Sequence, residues 1–138
     1  MPESSLIFEK YPIDPSIVIF EDELAFCTLS YKPITPGHIL VIPKRIEQYY
    51  DKLSADEVRS MAKLVTRCSG ALKRALGCKE VTFGCQDGPH AGQTVKHVHI
   101  HVIPAYDGGL IDDDDRKQWS VEMMAKMARR IQGVEAEP

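Results

Sequence analysis

The stretch His97-Val98-His99-Ile100-His101-Val102-Ile103-Pro104 decides the fold. Three histidines alternate with aliphatic residues, and in an extended backbone successive side chains point to opposite faces. The pattern therefore predicts a β-strand with all three imidazoles on one face and an aliphatic face that packs on a core. A buried ring nitrogen without a partner costs about 1–3 kcal/mol, so we expect the imidazole face to line an open site.

Apolar runs on the N-terminal side of this stretch predict the rest of a sheet. Residues 17–20 and 24–29 are joined by a short polar turn, which is typical of a hairpin. Residues 39–43 and 80–86 predict a third and a fourth strand, and the histidine segment would be the fifth. The expected fold class is α+β, with a five-stranded antiparallel sheet.

Two helices complete the predicted fold. Ser54-Ala55-Asp56-Glu57 has the spacing of a capping box, and apolar residues recur at helical spacing from there towards Gly77. Ser120 can cap a C-terminal helix over about 120–132, which Gly133 would end. The sequence therefore predicts one long helix and one C-terminal helix beside the sheet.

Composition limits the class of protein. A chain of 138 residues with 43% hydrophobic content predicts a single domain over 1–138. A net charge of -3 argues against nucleic-acid binding, which needs a basic face. No apolar run approaches the roughly 20 residues of a membrane span, and the first residues lack the basic region of a secretory signal. The four cysteines show no Cys-x-x-Cys spacing, which predicts free thiols in a reducing compartment. We expect the cytoplasm, with the nucleus as an additional location.

The spacing of the histidines bears on their chemistry. Residues on the same face of a strand recur about every 6.6–6.8 Å, so His97 and His101 are too far apart to share one metal ion easily. No spacing elsewhere requires a third metal ligand, and we expect no protein-bound metal. A neutral His99 could instead attack phosphorus while its two neighbours contact the non-bridging oxygens. The other ring nitrogen of His99 should then donate, to a backbone carbonyl.

A loop dense in glycine and polar residues lies directly before the histidines. Gly88 and Gly92 would allow its backbone to approach phosphate oxygens, and Gln93 and Thr94 can offer hydrogen bonds to a leaving group. We expect His90 in this loop to be merely exposed. The acidic run at residues 112–115 is expected to be a solvated turn, and Trp119, Met123, Met124 and Met127 are expected to pack the last helix.

Several segments of the sequence together resemble a known family. The His-x-His-x-His pattern with apolar x is similar to the signature of the histidine triad (HIT) superfamily of nucleotide hydrolases and transferases. Gln86-Asp87-Gly88-Pro89 and Ala91-Gly92-Gln93-Thr94-Val95-Lys96 resemble its fragile histidine triad (Fhit) branch, as do Lys32-Pro33 and residues 36–41. The resemblance runs from about residue 6 to 106 and implies a HIT-like fold.

The resemblance also implies roles for individual residues. His99 would attack an α-phosphorus and form a nucleotidyl-imidazole intermediate that water hydrolyses. His97 would orient and polarise the site, His101 would bind phosphate and help the leaving group or water, and His38 would support the triad. The substrate would further be held by two glutamines at the phosphates and three apolar residues at the base, namely Gln86, Gln93, Leu6, Phe8 and Ile19.

Two features depart from the Fhit pattern. Ser30 stands where relatives often carry an asparagine that holds the ribose, which implies weaker sugar recognition. The loop before the last helix is shortened to about residues 106–118, which implies a more open leaving-group side.

The implied activity is hydrolysis of a dinucleoside polyphosphate, such as diadenosine triphosphate to AMP and ADP. The implied assembly is a homodimer that joins the sheets of two subunits. No protein-bound cofactor is expected, although a divalent cation such as magnesium would arrive with the substrate. The alternatives are a nucleoside phosphoramidate hydrolase of the same superfamily and a nucleotide-binding signalling protein with slow turnover.

Overall fold

A five-stranded antiparallel sheet forms the centre of the computed structural model, which describes residues 6–107 and 117–133. In these residues the elements follow in the order β1 (Ile7–Phe8), β2 (Tyr11–Pro12), β3 (Val18–Glu21), β4 (Ala25–Leu29), β5 (Ile39–Pro43), α1 (Ala55–Leu76), β6 (Glu80–Cys85), β7 (Ile100–Ala105) and α2 (Val121–Gln132). Short 3-10 segments occur at Pro15–Ile17, Tyr50–Lys52 and Pro89–Ala91. The predicted α+β class, with five antiparallel strands and two helices, is confirmed.

The strand order is β3-β4-β5-β7-β6, and β1 pairs only with β2 in a separate hairpin. The register aligns Thr28 with Leu40, Leu40 with His101, and His101 with Gly84. These aligned residues share one face of the sheet, because cross-strand partners point the same way. His101, near the start of β7, therefore lies on this face of the sheet.

Helix α1 covers the opposite face. The Sγ atoms of Cys68 on α1 and Cys27 on β4 lie 3.2 Å apart, and Cys27 is aligned with Val41 on β5. The apolar face of the helix is buried with these strands through Met61, Leu64, Cys68 and Leu72. Packing on this face leaves the other face available for a site.

Both helices begin and end at the predicted signals. The Ser54 side chain accepts from the Glu57 amide in a complete capping box, and Gly77 ends α1 in the left-handed conformation. Ser120 caps α2, and Gly133 ends it in the same way. None of the helices in the described ranges is long and apolar enough to cross a membrane.

The histidine segment is only partly a strand, which corrects the prediction. β7 begins at Ile100, so His97 and His99 lie in the segment that leads into it. The reason is the pairing: the Val98 amide donates to the Glu47 carbonyl at 2.7 Å, and the β5 and β6 ladders extend only to Ile100. The sequence also failed to predict the β1–β2 hairpin.

Candidate active site

His99 is held with one ring nitrogen directed away from the backbone. Its Nδ1 lies 2.8 Å from the carbonyl oxygen of His97. A carbonyl oxygen only accepts, so Nδ1 carries the proton and Nε2 of the neutral ring has a free lone pair. Burial lowers the pKa of His99, which favours this neutral form. The predicted hydrogen bond to a backbone carbonyl is thus present, and it leaves Nε2 as a competent nucleophile.

His97 is fully buried and uses both ring nitrogens within the protein. Its Nε2–H donates to the Pro43 carbonyl at 2.8 Å, and its Nδ1 accepts from the Glu9 amide at 2.7 Å. The ring therefore has no nitrogen left for a phosphate oxygen, contrary to the expectation of direct contact. Its carbonyl holds His99, so the geometry gives it an orienting place in the site.

His38 and His101 form a pair of imidazoles, with 2.9 Å between Nε2 of His38 and Nδ1 of His101. The Ile34 amide donates to Nδ1 of His38, so the proton of a neutral His38 ring is on Nε2 and is donated to His101. His101 then carries its own proton on Nε2. The rings of His99 and His101 lie 4.8 Å apart, which places a nucleophile beside a hydrogen-bond donor.

An apolar cavity of about 560 Å³ opens beside this pair, within the usual size of a small-molecule site. His99, His101, Phe8, Ser30 and Thr94 line it, as the sequence analysis proposed. The Phe8 ring also packs edge-on against His99 at 4.9 Å. The other lining residues, which the sequence did not indicate, include Tyr11, Ile13, Leu29, Tyr31, Leu40 and Val95.

Two residues predicted for the base pocket lie elsewhere. Leu6 and Ile19 are buried in the hydrophobic core and do not line the cavity. Ile19 lies on β3, the edge strand against which α2 packs, and the cavity wall is built instead from the end of β4 and the β1–β2 hairpin. Nothing local in the sequence indicated the hairpin that forms this wall in their place.

A second cavity of about 460 Å³ lies on the other side of His101. Gln86 lines it together with His38, Thr82 and Gly84. Gln86 and His101 both line this second cavity, and His101 also lines the first. The structure therefore places Gln86, in the loop directly after β6, on the wall of a cavity that a triad residue shares.

Gln93 is placed differently from Gln86. It is buried and donates through Nε2 to the Gln48 carbonyl at 2.9 Å, and it lines neither cavity. Its amide therefore joins the loop before the triad to the segment after β5 and does not face either cavity. A sequence pattern cannot distinguish these two uses of a glutamine.

The loop that precedes the triad needs its glycines for shape. Gly92 has φ of +97°, and a Cβ there would come within 2.5 Å of Gln86 Nε2. The glycine thus leaves room for the Gln86 side chain.

His90 is exposed, as expected, and Met124 packs in the core whereas Met123 is half exposed. The acidic run at 112–115 lies outside the described residues.

These features define a class of protein in which a neutral histidine with an available ring nitrogen and an imidazole donor stand on an open sheet face beside an apolar cavity. The chain belongs to the HIT domain family, whose model matches residues 12–108.

Relatives agree in fold and sequence. The chain is 35% identical over 112 residues to the bifunctional bis(5'-adenosyl)-triphosphatase/adenylylsulfatase FHIT of Arabidopsis thaliana, covering 81% of this chain and 62% of that protein. It is 40% identical over 97 residues to a bis(5'-adenosyl)-triphosphatase of Dictyostelium discoideum, covering 70% and 65%. The chain thus spans less than two thirds of the length of these curated relatives.

A solved structure of the Plasmodium falciparum diadenosine triphosphate hydrolase in complex with Cyclomarin A superposes with a TM-score of 0.84. The two are 28% identical, and the match covers 96% of this chain and 84% of that one.

Proposed function

We propose that the chain is a hydrolase of dinucleoside polyphosphates, such as diadenosine triphosphate. The observation that carries the proposal is the free Nε2 lone pair of His99 beside the donor Nε2–H of His101 at the mouth of an apolar cavity. The activities for which the relatives are named, bis(5'-adenosyl)-triphosphatase and diadenosine triphosphate hydrolase, support the same substrate class.

In the proposed reaction, Nε2 of His99 attacks the α-phosphorus. The new N–P bond forms as the P–O bond to the leaving nucleotide breaks, and the leaving oxygen departs with the bond pair. The imidazolium charge that develops on His99 is stabilised by its Nδ1–H bond to the His97 carbonyl. Water then attacks the same phosphorus as the P–N bond breaks, the bond pair returns to Nε2 and restores the neutral ring, and AMP is released while the proton of the water passes to solvent.

His101 serves both steps in this proposal. Its Nε2–H donates to a phosphate oxygen, and the hydrogen bond from His38 to its Nδ1 keeps the proton on the side of the substrate. The cavity takes the nucleoside of the transferred half, where Phe8 packs on the base and Ser30 reaches the sugar. Gln86 holds phosphate oxygens between the two cavities, and the second cavity takes the leaving nucleotide.

Product analysis tests the proposed function. The purified protein is incubated with diadenosine triphosphate, diadenosine tetraphosphate, an AMP amidate and a nucleotide sugar. We expect AMP and ADP from the triphosphate. Acid quench during turnover and mass spectrometry of the peptide should find the added AMP group on His99. Faster turnover of the amidate, or tight binding with very slow turnover, would contradict the proposal and favour one of the two alternatives.

We further propose that the chemistry needs no protein-bound metal, with magnesium carried by the substrate. Four of the six triad nitrogens and both nitrogens of His38 already bond within the protein. The four are Nδ1 and Nε2 of His97, Nδ1 of His99, and Nδ1 of His101, which bonds to His38. After dialysis against a strong chelator, activity without added metal should remain measurable. Complete loss that only stoichiometric zinc restores would contradict this.

We also propose a homodimer that joins the sheets of two subunits at β6. Its proposed location is the cytoplasm, with the nucleus as an additional location. β6 is an edge strand, and Phe83 on it is 62% exposed. An exposed, unpaired edge with a large apolar side chain favours pairing with another strand. All four cysteines are free, which agrees with a reducing compartment.

A further inference from the structure

The turn of the β1–β2 hairpin contains an unusual backbone conformation. Glu9 has φ of 58°, and it is the only non-glycine residue with positive φ in the described ranges. A two-residue hairpin turn often needs positive φ, and glycine, asparagine or aspartate usually provides it. Glutamate has no such preference, so the surroundings must hold this residue in place.

The contact that this conformation produces is with the triad. The Glu9 amide donates to Nδ1 of His97 at 2.7 Å, across 88 residues of sequence. This hydrogen bond requires Nδ1 to be unprotonated, which leaves the ring proton on Nε2, where it bonds to the Pro43 carbonyl. The turn, on the Nδ1 side, and the Pro43 carbonyl, on the Nε2 side, thus select the same tautomer of a fully buried ring.

The same hairpin also reaches the cavity. Phe8 precedes the turn, packs against His99 and lines the cavity, while Tyr11 follows the turn and lines the cavity too. Phe8 and Tyr11 are paired across the hairpin, and the Ile13 amide donates to the Leu6 carbonyl to close it. A shift of the turn would therefore move both the His97 ring and one wall of the cavity.

The Glu9 carboxylate has no comparable contact. Within residues 6–107 and 117–133 it makes no hydrogen bond or ion pair, whereas its amide makes the short bond to His97. The carboxylate acts on His97 only through its charge, which raises the pKa of that ring against the larger lowering by burial, whereas the backbone amide supplies the hydrogen bond.

We infer that Glu9 is a positioning residue that acts through its backbone: its left-handed conformation aims the amide at Nδ1 of His97, fixes the tautomer of that ring and so holds the carbonyl that orients His99. Only the effect on turnover rests on the proposed function. The effect on the His97 ring does not, and the two are measured separately.

The experiment compares substitutions that differ in their tolerance of positive φ. Glu9→Gly and Glu9→Asn accept this conformation, Glu9→Val resists it, and Glu9→Gln removes the charge alone. Lys10→Val places the same bulky residue at the other position of the turn, which has no positive φ, and serves as the matched control. Nitrogen-15 NMR of the histidine rings, recorded without substrate, reports which nitrogen of His97 is protonated.

We expect wild-type His97 ring signals in Glu9→Gly, Glu9→Asn, Glu9→Gln and Lys10→Val. In Glu9→Val the Nδ1 signal should shift towards that of a protonated nitrogen, and kcat/KM for diadenosine triphosphate should fall about tenfold. If Glu9→Val does not fold, Glu9→Ala provides the same comparison with a smaller shift.

Two results would overturn the inference. Equal changes of the His97 signals in Glu9→Gly, Glu9→Gln and Glu9→Val would assign the effect to the charge, and unchanged signals in a folded Glu9→Val would show that the turn does not select the tautomer. If the tautomer shifts as expected while the wild type hydrolyses none of the tested substrates, the inference stands and the proposed function fails.

Discussion

The lone pair on Nε2 of His99 is the single group on which the proposed chemistry depends. Substituting asparagine keeps a hydrogen-bonding side chain of similar shape but removes the nucleophile. His99→Asn should therefore lower turnover of diadenosine triphosphate by several orders of magnitude and leave nucleotide affinity nearly unchanged. Steady-state kinetics and equilibrium binding measure the two effects, and His90→Asn, at an exposed histidine of the preceding loop, is the control. Near-normal turnover in His99→Asn would contradict the mechanism.

The pH dependence of activity tests the same ring. Burial lowers the pKa of His99 below its usual value of 6.5, so the ring stays neutral and nucleophilic below that pH. The acid limb of kcat/KM should therefore have its midpoint below pH 6.5, as read from a pH–rate profile. A midpoint at or above this value, with a substrate that does not itself titrate there, would contradict the prediction.

The same shifts make stability depend on pH. The pKa of buried His97 is lowered too, mainly by burial. Below pH 6.5 the unfolded chain binds protons that the folded chain does not, so the free energy of unfolding falls as the pH is lowered through this value. Urea denaturation at a series of pH values measures the slope, which His99→Asn should reduce.

Among the elements, the loop between β6 and β7 has one glutamine at its start and one near its middle, and the two should behave differently. Gln93 is buried and bonds to the Gln48 carbonyl, so Gln93→Ala should cost about 1–3 kcal/mol of unfolding free energy. Gln86 is exposed and faces the second cavity, so Gln86→Ala should change stability by less than about 0.5 kcal/mol but raise KM. Denaturation and kinetics on both variants test this, and the opposite pattern would assign phosphate binding to Gln93.

Local signals explain which elements the sequence could predict. The capping box at Ser54 and the terminal Gly77 are made by residues close in sequence, and α1 follows them to the residue. The β1–β2 hairpin lacks such a signal, because Glu9 and Lys10 are not typical turn residues. The start of β7 depends on the bond from Val98 to Glu47, which no local pattern encodes.

The features of the site also divide into those that the sequence predicts and those that it does not. The triad, the donor at Nδ1 of His99 and the closeness of His38 follow from spacing or from resemblance to a family. The partners of His97 do not, because Glu9 and Pro43 reach it from distant parts of the chain. The cavity walls were missed for the same reason: they are built from the hairpin, β4 and β5 together.

At the scale of the whole molecule, the two edges of the sheet differ. The β3 edge is packed by α2, whereas β6 leaves Phe83 62% exposed. Two copies that pair along β6 would bury the Phe83 side chain and satisfy the unpaired backbone groups of this edge strand. Phe83→Asp places a charge in that contact and should convert the proposed dimer to a monomer, as measured by sedimentation velocity.

The control for this prediction lies near the opposite edge. Met123 on α2 is 50% exposed, so Met123→Asp changes an apolar side chain to the same charge away from β6 and should leave the assembly intact. A wild-type protein that sediments as a monomer would contradict the proposed dimer. A Phe83→Asp variant that remains dimeric would show that the dimer contact does not lie at β6, because a carboxylate buried between two paired edges without a partner is strongly unfavourable.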